Sequence, residues 1–333
     1  MLGRSDVALC RAYDLALLDL DGVVYVGGEA VPDAPGHLAE AREAGMRLAY
    51  VTNNAARPPG RVAEHLRELG VEAQDADVVT SAQAAARVLV ERLGAGATVA
   101  VLGADGLVEA LEGEGLVPGP VTAEEAAALV TGYGPDVLWR DIMQAAVRVR
   151  DGLWWVASNT DRTIPTPYGV APGHGILVGT IREFSSVEPV VAGKPERPLL
   201  DETVRRVGGK RPLMVGDRLD TDIEGARKAG VDSLLVLTGV TGLAELVAAG
   251  PAQRPTYLAA DLSGLHEPHA APEVDGGVAS LGGWSGRVES GRLALSGRGS
   301  ADDWWRVVAV VAWQHLDETG APVDVDGVEP PLT

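Results

Sequence analysis

The stretch Leu15-Ala16-Leu17-Leu18-Asp19-Leu20-Asp21-Gly22-Val23-Val24 constrains the fold of this chain more than any other. It is a short apolar run that ends in two carboxylates spaced i, i+2, with a glycine directly behind them. A run of this length, bounded by a turn residue, reads as a buried strand of a parallel sheet. Side chains alternate along a strand, so positions 19 and 21 lean to the same side as the strand ends. Two acids there repel each other unless a cation lies between them. One buried acid can be satisfied by hydrogen bonds alone. Two, beside a glycine that frees the backbone, point to a metal or phosphate site.

The spacing predicts a helix over 35–45, closed by Gly45, and a second apolar strand over 46–52 that ends in Thr52-Asn53-Asn54. Arg57-Pro58-Pro59 breaks the chain before an amphipathic helix over 60–69. This alternation is the signature of a doubly wound parallel sheet, in which ligands bind at the carboxyl ends of the strands. Thr52 and the two acids are therefore expected on one rim.

The alternation continues with helices over 81–93, 107–113 and 139–150 and strands over 98–102, 128–133 and 154–157. The segment 158–175, rich in Pro, Gly, Thr and Asp, is too long for a simple connector. Strands over 190–192, 212–215 and 233–237 and helices over 195–207 and 221–229 then resume the pattern.

The expected fold class is α/β: a doubly wound parallel-sheet (Rossmann-like) core over 1–78 and 185–265, an inserted α/β domain over 79–184, and a small α+β C-terminal extension over 266–333. The extension carries a hairpin pattern over 286–295 and a helix opened by Ser300, with Asp303 at the third helical position. Its Trp304, Trp305, Val307, Val308, Val311 and Trp313 are too apolar for a solvated helix and are expected to pack on the hairpin or the main body. No G-x-G-x-x-G follows the first strand, which argues against dinucleotide binding.

Charge narrows the partners. The 333 residues carry a formal net charge of −19, so neither nucleic acid nor an anionic membrane is attracted as the main partner. A small anionic substrate is still allowed where a lysine, arginine or metal ion overrides the average field. Cys10 is the single cysteine, which excludes an intrachain disulfide, fits a reducing compartment, and reads as a small buried hydrophobe. Met1 to Arg11 lacks a signal-peptide pattern and no apolar run is long enough to span a bilayer, so the expectation is a cytoplasmic protein without membrane insertion.

Further polar groups fall where core strands should end. Gly193-Lys194-Pro195 follows the strand ending at Ala192, and Lys194 is one of only three lysines. Gly216-Asp217-Arg218-Leu219-Asp220-Thr221-Asp222 follows the strand over 212–215. Taken singly, Thr52, Asp217 and Asp222 can be helix caps and Lys194 a surface charge. Taken together, Asp19, the backbone carbonyl of Asp21, and Asp217 supply the oxygen set that Mg²⁺ prefers. Lys194 and Thr52 supply a charge and a hydroxyl for phosphoryl oxygens.

The four motifs Asp19-x-Asp21-Gly22, Thr52-Asn53-Asn54, Gly193-Lys194-Pro195 and Gly216-Asp217-x-x-x-Thr221-Asp222 resemble those of the haloacid dehalogenase-like phosphohydrolases. The forms DLDGVVYVGGEAVPDAP and VTNN are similar to the subclass of nitrophenyl-phosphatase-like, NagD-like, phosphoglycolate and glycerol-phosphate phosphatases, in which an α/β (type 2) cap separates the second and third motifs. The resemblance covers residues 13–262.

It implies that Asp19 is a nucleophile forming an aspartyl-phosphate, and that Asp21 is the general acid and then the general base. Thr52 and Lys194 would stabilise the transferring phosphoryl group. Mg²⁺ would be held by Asp19, the Asp21 carbonyl and Asp217, with Asp222 behind them orienting Lys194 or a metal water. Asn53 and Asn54 in the second motif, Arg57 following it, and Asn159, Asp161, Arg162 and His174 in the cap become substrate-binding candidates, though Asn159 and Asp161 read equally well as turn formers and Arg57 as a surface charge.

The implied activity is Mg²⁺-dependent hydrolysis of small organic phosphate monoesters, glycerol 3-phosphate first, then 2-phosphoglycolate and other sugar or nucleotide phosphates. A phosphotransferase or mutase shares the first half-reaction, and a phospho-accepting sensor module is the non-enzyme alternative. The extension resembles that of actinobacterial members, an acetyltransferase-like remnant without an acetyl-CoA-binding loop. A homodimer through the cap or the extension is the candidate assembly.

Overall fold

The computed structural model describes residues 2–166 and 168–331. The chain divides into two compact units, one of Met1–Leu48 with Gly209–Thr333 and one of Ala49–Gly208.

In the first unit, the strands Tyr257–Ala259, Asp232–Val236, Pro212–Gly216 and Leu15–Leu18 lie side by side in that order, all parallel. Every residue of Leu15–Leu18 is buried, as expected of a strand covered on both faces. A helix covers Ala34–Glu43.

The helix expected over 221–229 begins earlier, as a π turn over Leu219–Ile223 that runs into Glu224–Ala229. The Ile223 amide donates to the Arg218 carbonyl at 3.2 Å, and the Arg218 amide donates to Asp222 Oδ2 at 3.1 Å. The wide turn and the Asp222 side chain are thus one hydrogen-bonded loop, a device that recurs at functional sites.

The C-terminal extension belongs to this unit. Its sheet has four antiparallel strands in sequential order, Glu273–Asp275, Val278–Leu281, Trp284–Glu289 and Arg292–Gly297. The sequence indicates only the last two, because Glu273–Asp275 is exposed throughout and shows no apolar alternation. The helix Ala301–Thr319 is capped by Ser300, whose Oγ accepts from the Asp303 amide at 3.1 Å.

This helix packs on both surfaces proposed for it. Trp304, Trp305, Val307, Val308, Val311 and Trp313 share one core with Leu293 of the sheet and with Leu219, Ile223, Leu246 and Leu258 of the main body. Burying each such side chain contributes roughly 1.5–3 kcal/mol. Trp313 Nε1 donates to the Leu246 carbonyl at 2.8 Å, and buried Arg306 donates through Nε to the Leu258 carbonyl at 3.0 Å. Arg306 also pairs with Asp302 at 3.2 Å and meets His269 Nδ1 at 3.2 Å.

In the second unit, Val78–Thr80 pairs in parallel with Tyr50, Val51 and Thr52. A five-stranded sheet runs in the order Val190–Val191, Trp154–Ala157, Ala128–Thr131, Thr98–Leu102, Val117–Gly119, again all parallel. The helix Ser81–Leu93 packs on both Asp105–Gly113 and Pro198–Val207. Its buried Ala82, Ala84, Ala85 and Ala86 give it flush faces for two neighbours. Chain order therefore separates two helices, Ser81–Leu93 and Pro198–Val207, that packing joins.

Two local readings change here. Pro198–Val207 starts three residues later than the periodicity suggests, because Gly193-Lys194-Pro195-Glu196 closes as a turn with the Glu196 amide on the Gly193 carbonyl at 2.9 Å. The segment 158–175 is not irregular throughout: Thr163–Thr166 and Gly169–Pro172 form an antiparallel hairpin, and a helix, His174–Ser185, begins before it ends.

Candidate active site

Asp19 leaves the carboxyl end of Leu15–Leu18 with its amide still on the ladder, donating to the Val215 carbonyl at 2.9 Å. Asp217 stands directly past the end of the neighbouring strand, and Asp222 lies in the π turn that follows. One carboxylate oxygen from each of Asp19, Asp217 and Asp222 lies within 4.8 Å of the others. Asp217 and Asp222 are fully buried, Asp19 is half-buried, and Asp21 is exposed.

Glycines make this crowding possible. Gly22 sits at φ +85°, and a Cβ there or at Gly239 would collide with the Asp217 carboxylate. Gly216 meets Asp222 in the same way. The Val240 amide donates to Asp217 Oδ2 at 2.6 Å, and the Thr238 hydroxyl donates to the Gly22 carbonyl at 2.5 Å. The Thr238–Val240 loop is thereby fixed over the acids.

Three carboxylates gathered in a partly dry pocket repel one another, and a small hard dication bound among them would lower that repulsion. The donor set is all oxygen, which fits Mg²⁺.

The second unit gathers amides rather than acids. Thr52 is buried at its strand end, and its Oγ1 accepts from the Asn54 amide at 3.1 Å, leaving the hydroxyl proton for another acceptor. Asn53 is a hub. Its Oδ1 accepts from the Lys194 amide at 2.8 Å, and its Nδ2 donates to the Lys194 carbonyl at 3.0 Å and to Asp161 Oδ1 at 3.1 Å. Its own carbonyl accepts from Asn159 Nδ2 at 2.7 Å and from the Ser81 hydroxyl at 2.5 Å. A Cβ on Gly193 would stand 2.6 Å from Asn53 Oδ1, so only glycine lets this strand end approach. Lys194 is 2% exposed.

The structure therefore brings Asn53, Lys194, Asn159 and Asp161 together. Asn54 closes a local turn, its Oδ1 accepting from the Ala56 amide at 2.8 Å. Arg57 and Arg162 are exposed. His174 is buried beside Thr131, its Nε2 3.2 Å from Thr131 Oγ1, which also accepts from Trp155 Nε1 at 3.0 Å. Burial pushes the His174 imidazolium down to about 4, so the ring is neutral near pH 7.

Sequence reasoning did not single out Ser81 or the Thr238–Val240 loop. The second follows a parallel strand at its carboxyl end, so the rule that marks Asp217 also marks it. Nothing in the sequence distinguishes Ser81.

Parallel strands whose carboxyl ends collect buried acids define an α/β enzyme of the doubly wound class. The chain belongs to the haloacid dehalogenase-like hydrolase family: residues 16–117 match the model described by that name, and residues 191–265 match a second, HAD-hydrolase-like model. It is 40% identical over 296 residues to the D-glycerol 3-phosphate phosphatase of Mycobacterium tuberculosis, covering 89% of this chain and 82% of that protein. It is 34% identical over 233 residues to a 5'-nucleotidase of Bacillus subtilis, covering 69% and 90%.

Among solved structures, the Mycobacterium tuberculosis glycerol phosphate phosphatase in complex with magnesium superposes with a TM-score of 0.86 at 38% identity, over 96% of this chain and 94% of that one. The 4-nitrophenylphosphatase of Thermotoga maritima superposes with a TM-score of 0.71 at 28% identity, over 78% and 98%.

Proposed function

We propose that this chain is a Mg²⁺-dependent phosphatase of small organic phosphate monoesters, with glycerol 3-phosphate as the first substrate. The observation that carries the reading is the three-carboxylate pocket of Asp19, Asp217 and Asp222, built within a parallel sheet. The similarity to a glycerol 3-phosphate phosphatase over most of both chains points to the substrate.

In this reading the Asp19 carboxylate attacks phosphorus, and the bond to the leaving alkoxide breaks as Asp21 gives that oxygen its proton. Asp21, now a carboxylate, takes a proton from water as the water attacks the aspartyl-phosphate. Inorganic phosphate leaves and Asp19 is restored. The exposure of Asp21 suits a group that exchanges a proton with substrate and water.

Asp19, the Asp21 carbonyl and Asp217 would hold Mg²⁺, which supplies the positive charge that lets a carboxylate approach a phosphate dianion. Asp222 buttresses that set from the π turn. Lys194 and the Thr52 hydroxyl bind phosphoryl oxygens, and Asn53 holds the Lys194 backbone in place.

Residues 79–184 act as the specificity cap. Within it, exposed Arg162 and half-buried Asp161 contact the organic part of the substrate, while Asn159 and His174 shape the segment beneath them. Arg57 and Asn54 complete the second motif. Among the described residues no helix is long and apolar enough to cross a membrane. The exposed Trp139, Met143 and Val147, at helical spacing on one face, support a homodimer through the cap, which light scattering tests directly.

The test is a phosphate-release panel over glycerol phosphates, phosphoglycolate, sugar phosphates and nucleotides, with and without Mg²⁺. Mg²⁺-dependent release, fastest from glycerol 3-phosphate, is expected. Release from none of them would overturn the reading.

A further inference from the structure

A second cluster of ligating side chains lies apart from the acids. His37 and Glu40 stand i, i+3 on the helix Ala34–Glu43, which puts them on one face. His266 follows the short turn Leu262–Leu265 and reaches the same place. One ligand atom from each of His37, Glu40 and His266 lies within 4.8 Å of the others.

His266 Nε2 is 3.8 Å from a Glu40 carboxylate oxygen and donates to the His37 carbonyl at 3.0 Å. The two imidazole rings are 5.5 Å apart at 34°. His37 Nδ1 is enclosed and has no hydrogen-bond partner among the described residues. Glu40 and His266 also line an open cavity of about 560 Å³, together with Asp6, Val7, Cys10 and Arg11.

Two imidazoles and one carboxylate differ in kind from the all-oxygen pocket. This is the donor set of three-ligand zinc sites that keep a fourth position open, and it suits transition dications over Mg²⁺. Ligand atoms around a tetrahedral zinc stand about 3.4 Å apart, given bonds of about 2.0–2.1 Å. The His266–Glu40 separation of 3.8 Å needs only a small closure, and the Glu40 side chain, 66% exposed, is free of the core on that side.

A buried ring nitrogen without a partner is costly, and a metal bonded at His37 Nδ1 would supply the missing interaction. The Nε2–H that His266 gives to the His37 carbonyl would be exchanged for a metal bond, the ring proton moving to Nδ1.

We propose that His37, Glu40 and His266 form a second metal site, for Zn²⁺ or a similar transition dication, with its open position toward the cavity. Its location gives it a consequence. It ties the helix Ala34–Glu43 to the residue where the chain turns into the C-terminal extension, so metal bound there stabilises that junction by mass action.

The experiment titrates the full chain with Zn²⁺, and separately with Co²⁺, in saturating Mg²⁺. Binding is read by calorimetry and by the visible absorption of Co²⁺. One equivalent beyond Mg²⁺ is expected, with a nitrogen-ligated Co²⁺ spectrum. His266→Gln and His37→Gln should each weaken it by more than about 100-fold, and Glu40→Gln by less, because loss of even outer-shell partners costs 10–100-fold.

Mg²⁺-dependent turnover should be unchanged in a folded variant. If His37→Gln fails to fold, His266→Gln and Glu40→Gln still decide the matter. Asp217→Asn should keep the extra equivalent. The proposal is overturned if Asp217→Asn removes all Zn²⁺ binding, or if His266→Gln and Glu40→Gln leave affinity and spectrum as they were.

Discussion

The carboxylate pocket around Asp217 and the amide network around Asn53 both stand at the carboxyl ends of parallel strands, yet they hold themselves together in opposite ways. In the first, like charges are pressed into one place by glycines that give up their side chains, a setting that suits a small hard cation. In the second, donors and acceptors saturate one another: one asparagine side chain accepts from one backbone amide and donates to a carbonyl and to the Asp161 carboxylate. The first arrangement stores an electrostatic demand; the second fixes distances. Each belongs to its own compact unit and has its own architecture.

The largest test of the acidic half is Asp19→Asn. Loss of a nucleophile costs at least about 10⁴-fold in turnover. Phosphate release should become undetectable and no aspartyl-phosphate should be trapped, while circular dichroism shows an intact fold.

Asp217→Asn sharpens the comparison further. It should abolish Mg²⁺-dependent turnover and the Mg²⁺-induced rise in melting temperature. It should also melt higher than the metal-free wild type, because it removes one of three repelling charges. A lower melting temperature without metal would show that the pocket is already balanced from within.

Asn53→Ala tests the amide half. The fold should survive with turnover reduced by about 10²-fold, because Lys194 and Asp161 lose their common anchor. An unchanged rate would make the network a purely structural tie.

The smallest expected effect is on stability in acid. Burial depresses His174 from 6.5 to about 4, and burial, reinforced by the Arg306 charge, does the same to His269. The unfolded chain therefore binds more protons than the folded one between these values. Stability is complete above about pH 6.5 and falls as pH drops toward 4. His174→Gln should lessen the fall in melting temperature over that window, leaving the part due to His269.

Much of the fold was legible. The run at Leu15–Leu18 announces a strand covered on both faces, and the Ser300 cap with its tryptophan-rich helix lies where its pattern places it. What periodicity missed is what does not bury an apolar face. The strand Glu273–Asp275 is exposed throughout, and the paired strands Thr163–Thr166 and Gly169–Pro172 are short and carry Pro165, Gly169 and Pro172.

The π turn at Leu219–Ile223 is set by the Asp222 side chain returning to the Arg218 amide, a bond that no helical spacing encodes. At the site, the acids were visible because charge in an apolar run is conspicuous. The part played by Ser81 was not, since one hydroxyl on one carbonyl leaves no pattern in a sequence.

The tryptophan-rich helix has one more consequence. Leu219 and Ile223, which flank Asp222 in the π turn, belong to the same apolar core as Trp304, Trp305 and Trp313. The last helix is thus a keystone rather than an appendage: cutting the chain before it would bare a greasy scar behind the very turn that presents Asp222. A relative that ends earlier must place polar residues at these positions, and grafting this tail elsewhere would require its seat to travel with it.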